Sequence, residues 1–287
     1  MSDQLPQKKI TAQNLVVAAI IVVAIQVVGL LITNQNSLLY TSVVANSGPS
    51  YAPAGTSGVG SFLNAMILVA FAAVLTFALV WLLRRKMVTS FKLIVFLSVA
   101  FSAFVLTMVT ADNFAVSYLP SILEVPVAFG VPSVLVILVA YIIFVKNNPW
   151  ISTIILAFIG AEVGSFFAET LSPWTALALP IAFSIYDIYA VFRGPLKSLI
   201  GTAPGVALVG MSIKAGEFTL GLGDIVFYTL LPSLALFQFG LAQSLYTMLA
   251  IDVGMVITLF LLSKRRLLPG LPIPMLLGIL VIGSRIL

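Results

Sequence analysis

Long uncharged apolar runs recur along this chain, separated by short stretches that carry nearly all of its charge. The runs cover roughly 12–33, 61–83, 91–110, 127–145, 151–168, 174–192, 221–240, 243–262 and 271–286. Crossing the hydrocarbon core of a bilayer takes about 20 residues of helix, so each run predicts a membrane-spanning helix. The first run suits a spanning helix better than the short apolar core of a signal peptide. Pro120 and Pro126 interrupt the chain ahead of the fourth run and Pro132 lies near its start, which makes its boundary the hardest to place. The last run is short and predicts a helix that begins after an extended segment. The expectation is an all-α polytopic membrane protein of nine spans, with 1–287 forming a single membrane-embedded domain.

Composition agrees: 61% of the 287 residues are hydrophobic and 8% are charged, where soluble domains carry roughly 25% charged residues. Lys and Arg outnumber Asp and Glu by 14 to 9, and their placement says more than their sum. Lys8 and Lys9 precede the first run, while Arg84, Arg85, Lys86 and Lys92 separate the second from the third. Lys146 follows the fourth, and Arg193, Lys197 and Lys214 follow the sixth. Lys264, Arg265 and Arg266 follow the eighth, so only Arg285 falls outside this alternating set of connections. Basic residues favour cytoplasmic loops, which puts the N-terminus in the cytoplasm and the C-terminus outside. For a microbial chain that means the cell membrane. The basic excess then needs no nucleic acid to explain it. The uncharged connection 34–60, rich in Ser, Gly, Asn and Pro, reads as an external loop. The connection 193–220 is the longest cytoplasmic one, with an apolar middle at 200–211 that suits the membrane interface.

The chain contains no cysteine and no histidine. This excludes disulfides, iron–sulfur clusters, thiol nucleophiles, Ser–His dyads, His zinc sites and His-ligated haem. No metal and no cofactor are expected. Acid–base chemistry within the membrane falls to carboxylates.

Two carboxylates stand out. Asp187 lies in PIAFSIYDIYAVF (180–192), about five residues from the cytoplasmic end of a run directed inwards. Asp224 lies in Gly221-Leu222-Gly223-Asp224, about four residues from the cytoplasmic start of the next run, which is directed outwards. A helix rises about 1.5 Å per residue, so the two lie within roughly one turn of the same depth. An ionisable group in a span costs about 2.5–3.5 kcal/mol on insertion scales and usually faces protein or a water-filled cavity. If the helices pack side by side, two carboxylates sharing a water cannot both ionise easily, and the pair holds one proton at neutral pH. The charged member can then take a proton from water while the protonated member polarises a carbonyl. Soluble aspartic proteases divide the work between their two acids in this way. The plainer reading is that each Asp only hydrogen-bonds backbone or a Tyr hydroxyl. Tyr186, Tyr189 and Tyr228 read as packing and interface residues, although a Tyr beside an Asp can tune it. Glu162 and Asp252 lie in mid-span and keep a proton-relay reading open, whereas Asp112, Glu124 and Glu169 read as solvated near external ends.

These motifs resemble a family. Tyr186-Asp187 and Gly221-Leu222-Gly223-Asp224 are similar to the YD and GxGD motifs of presenilins and signal peptide peptidases, the GxGD intramembrane aspartyl proteases. Pro269-Gly270-Leu271-Pro272 resembles the segment that carries the presenilin Pro-Ala-Leu motif, with Gly270 where the family has Ala. A lone GxGD also occurs in type IV prepilin peptidases, but here three motifs stand in order in runs six, seven and nine. The predicted orientation agrees with presenilins and opposes signal peptide peptidases. The short connection between runs six and seven makes the chain most similar to a compact microbial, archaeal-type presenilin homologue.

The resemblance implies proteolysis of transmembrane-helix substrates inside the bilayer. Asp187 and Asp224 would be catalytic, and 269–272 would form a substrate-pairing edge for an unwound peptide. Oligomers, and self-cleavage in 193–220, stay open. The alternative is a proton- or cation-coupled transporter or channel using Asp187, Asp224, Glu162 and Asp252. That reading calls for inverted repeats and broken helices, and no internal repeat is visible. A non-catalytic scaffold gives no reason for two depth-matched acids.

Overall fold

A computed structural model of the chain describes residues 12–43, 51–146, 148–193, 210–216, 218–262 and 268–286. Nine helices are found among them: α1 (Ala12–Val43), α2 (Gly58–Arg84), α3 (Val88–Tyr118), α4 (Ser121–Ala140), α5 (Pro149–Thr170), α6 (Pro173–Phe192), α7 (Leu222–Phe239), α8 (Leu241–Leu262) and α9 (Pro272–Ile286). Eight are long and apolar enough to cross a membrane, and α9 is a shorter apolar helix of 15 residues. Lys8, Lys9, Lys197, Lys264, Arg265 and Arg266 lie outside the described residues, as does most of 200–211.

The sequence-based boundaries change at four places. Helix α1 runs to Val43, ten residues past the predicted end at 33, so 34–43 continues the helix instead of belonging to the external loop, and α3 runs to Tyr118, eight residues past 110. The fourth helix starts at Ser121 and runs through Pro126 and Pro132, so Pro120 alone breaks the chain, as an extended N-cap. Pro126 and Pro132 are the sixth and twelfth residues of this helix, so each forfeits the bond its N–H would make to the carbonyl four residues back. The helix ends in a π turn over Tyr141–Val145. The last change lies in the cytoplasmic connection 193–220, for which no regular element is expected. Ser212–Ala215 (β1) and Phe218–Gly221 (β2) pair antiparallel, Ile213 opposite Leu220 and Ala215 opposite Phe218. Those four side chains are buried while Lys214 and Thr219 face outwards, the alternation of a half-buried hairpin. Thr153 on α5 seals the β1 edge, accepting from the Lys214 N–H at 3.1 Å and donating to its carbonyl.

Helix α7 is the hub. Between Ile225 and Ala235 every residue but Val226 is buried, as a helix without a polar face requires. It packs against α1, α5, α6, α8 and α9. Gly160 and Gly164, one turn apart on α5, let the two backbones meet: a Cβ on Gly164 would fall 2.6 Å from the Val226 carbonyl oxygen. Pro232 lacks the N–H that would bond the Tyr228 carbonyl four residues back. Gln26 on α1, fully buried, donates its Nε2–H to that carbonyl at 3.3 Å. Ser244 on α8 in turn donates to the Pro232 carbonyl at 2.8 Å.

The outer faces of α2, α3 and α4 expose large apolar side chains such as Phe71, Phe101 and Ile122, which suits contact with lipid chains. Glu169 corrects its solvated reading: it is half-buried, and both its oxygens accept from Asn36 Nδ2 at 3.3 Å. Asn113 on α3 donates to Asn36 Oδ1 at 2.9 Å, so one polar cluster ties α1, α3 and α5 together.

Candidate active site

The hairpin and α7 meet at Gly221, which ends β2 and caps α7 in an extended conformation, φ −69° and ψ 146°. Leu222, Gly223 and Asp224 are therefore the first three helical residues, and the span predicted from 221 begins one residue later. A carboxylate at this third position can reach back to the cap. Asp224 does so, its Oδ2 accepting from the Gly221 N–H at 3.2 Å. A negative charge here also faces the positive end of the helix dipole. The GxGD pattern has a local meaning: a strand ends, a helix starts, and its first-turn acid is fixed against the cap.

Asp187 projects from the last two turns of α6. Its Oδ2 accepts from the Leu271 N–H at 3.2 Å, and the Gly270 N–H lies near the same carboxylate. Asp187 and Asp224 line one cavity of about 450 Å³ bounded by α2, α6, the hairpin, α7 and 268–271. Tyr186, Gly221, Gly223, Gly270 and Leu271 line it too. Phe183 and Phe227 form an apolar wall with ring centroids 4.9 Å apart.

Gly270 sits against the second acid. A Cβ there would lie 2.9 Å from Asp224 Oδ2 and 3.0 Å from Oδ1. One backbone segment thus touches both carboxylates, through the Gly270 Cα on one side and the N–H groups of Gly270 and Leu271 on the other. Pro269 and Leu271 are buried, and Pro272 opens α9 half-buried. Gly254 on α8 allows this placement: a Cβ on it would fall 2.5 Å from the Pro274 Cα, so α9 lies directly on the α8 backbone.

Other residues singled out in the sequence stand apart. Leu222 is half-buried and packs on the core instead of lining the cavity. Glu162 and Asp252 do not line it either. Glu162 accepts from Thr107 Oγ1 at 2.7 Å between α5 and α3, and Asp252 lies near Gln26. Among the described residues, no group of three or more His, Cys, Asp or Glu is placed to hold a metal ion. Tyr228 does more than pack. It is 2% exposed, and its hydroxyl donates to the Gly270 carbonyl at 3.1 Å. Its position four residues after Asp224 puts it one helical turn along the same face, but that spacing does not point to Gly270.

The presenilin family model matches residues 8–205, more than half of the chain. Presenilin-B of Dictyostelium discoideum is 40% identical over 121 residues, covering 38% of this chain and 25% of that protein. The chain thus aligns with about a quarter of that relative's length. Two solved structures of a presenilin family intramembrane aspartate protease, in space groups C222 and P2, share the fold. The first superposes with a TM-score of 0.62 at 18% identity, covering 95% of this chain and 99% of that one. The second gives 0.59 at 20% identity, covering 92% and 97%.

Proposed function

This chain belongs to the presenilin family, is an integral multi-pass membrane protein with that family's all-α fold, and from this premise we propose that it is an intramembrane aspartic endopeptidase. The carrying observation is that Asp187 and Asp224, from adjacent spans, line one cavity with their Oδ2 atoms each held by a backbone N–H. The substrates are transmembrane helices that unwind at the cleavage site. Residues 1–287 act as one membrane-embedded unit, with the N-terminus cytoplasmic and the C-terminus external.

The chemistry follows from a dyad that shares one proton. The ionised carboxylate takes a proton from water as the water oxygen bonds to the scissile carbonyl carbon. The protonated partner donates to the carbonyl oxygen, giving a neutral gem-diol. Collapse breaks the C–N bond as the nitrogen receives a proton, leaving a carboxylic acid and an amine. The cavity's apolar wall lowers the local dielectric and strengthens each electrostatic contact.

Pro269, Gly270, Leu271 and Pro272 form the substrate-facing edge in this reading. Pro269 and Pro272 have no N–H, and those of Gly270 and Leu271 lie at the Asp187 carboxylate. The Leu271 carbonyl accepts from Met275 N–H at 3.0 Å. What the segment offers an extended peptide is therefore acceptors, the carbonyls of Leu268 and Pro269, which have no partner among the described bonds. Leu271 serves packing and the cavity wall together.

The test is direct. Purified protein in detergent, incubated with a generic transmembrane peptide in 18O-water, should yield two fragments. Each turnover should place one 18O atom in the new C-terminal carboxylate of the N-terminal fragment. An intact peptide under conditions where the protein stays folded would remove the protease reading. It would favour transport through the same acids, a reading weakened by the separation of Glu162 and Asp252 from the cavity.

A further inference from the structure

The carbonyl of Gly270 and the N–H of Leu271 are the two ends of one peptide unit. The carbonyl end accepts from the Tyr228 hydroxyl at 3.1 Å, and the N–H end donates to Asp187 Oδ2 at 3.2 Å. A peptide group is planar and rigid, so fixing its oxygen fixes the direction of its N–H. We propose that Tyr228 is a positioning residue for catalysis: its hydroxyl holds the Gly270–Leu271 peptide plane so that the N–H addresses Asp187. The proposal rests on the aspartic-protease reading of this site.

Three features make Tyr228 fit for the task. It follows Asp224 by one turn on α7, so the helix that carries one acid also sets the donor to the other. Its side chain is buried, and its hydroxyl has no need of water because Gly270 is its acceptor. Its own carbonyl is held as well, by Gln26 Nε2 at 3.3 Å in place of the N–H that Pro232 lacks. The residue is thus gripped at the backbone and at the ring tip. The Gly270 carbonyl has the Tyr228 hydroxyl as its partner, so that bond sets the rotation of this peptide plane.

Tyr228→Phe removes the hydroxyl and leaves the ring. The expected result, per folded molecule in the monodisperse fraction, is a kcat lowered about 10-fold or more with KM within about twofold, since misplaced catalytic groups cost rate before binding. Affinity for a peptide whose scissile amide is replaced by a hydroxyethylene group, which engages both acids, should fall by a similar factor. Incorporation of 3-fluorotyrosine at 228, which keeps the hydroxyl, should restore both. An unchanged kcat overturns the proposal. So does a raised KM with kcat intact, which would return the segment to substrate binding, or a loss that fluorotyrosine does not repair. Wild-type protein assayed in parallel separates the two claims: if it forms no product the protease reading fails, and if it does the variant judges Tyr228 alone.

Discussion

Asp187→Asn and Asp224→Asn should each abolish peptide cleavage, to below about one part in a thousand of the wild-type rate, with the protein still folded. Positioned acid–base groups contribute roughly 10²- to 10⁴-fold each, and here neither acid can work without its partner. An amide cannot take the proton from water or give one to the carbonyl, so the loss should hold at every pH and not move one limb of a profile, because the limbs belong to the pair. The fold should survive because the carboxamide oxygen can still accept from Gly221 N–H at position 224 and from Leu271 N–H at position 187. Size-exclusion behaviour and thermal unfolding check that point, and fragment mass spectrometry checks the rate. Either single variant cleaving at about a tenth of the wild-type rate would show that the two acids do not act as a unit.

Gly270→Val should lower cleavage by about 100-fold or more, while Gly270→Ala stays within about tenfold of wild type. Gly270 does not use the left-handed backbone region, so a side chain there costs little in conformation. The conflict is with Asp224, whose Oδ2, Oδ1 and Cγ lie 2.9, 3.0 and 3.1 Å from a built Cβ. A methyl requires the carboxylate to yield by a few tenths of an ångström. The two further carbons of valine would turn it away from the Gly221 N–H that fixes it. A shift of about 1 Å at a reacting group costs on the order of 100-fold in rate. The family's alanine at the corresponding place agrees with the tolerated methyl. Equal activity of the valine variant and wild type would mean that this carboxylate does not need its observed position.

The nine helices are legible in the sequence because a bilayer imposes one length and one composition on whatever crosses it. The acids are legible because charge in such runs is rare. The hairpin is not, although Ile213, Ala215, Phe218 and Leu220 alternate with polar residues. Four-residue strands give a weak period, and an apolar stretch precedes them. Tyr228 and Gly254 cannot be assigned from spacing alone, because each acts on a partner far along the chain, Gly270 and Pro274. The tolerance of Pro126 and Pro132 depends on neighbouring structure that no residue rule contains. Glu169 misleads for the same reason, since its partner Asn36 stands on the first helix.

Gln26 and Pro232 have an evolutionary consequence. Loss of Gln26 alone strands the Tyr228 carbonyl in hydrocarbon, where an unpaired polar group costs several kcal/mol. Replacing Pro232 alone supplies a rival N–H for that carbonyl and takes the acceptor away from the buried Gln26 amide, which costs the desolvation of an unpaired donor. Neither step is neutral by itself, so the two positions should be inherited as a couple, lost or kept together across a lineage despite lying on the first and seventh helices.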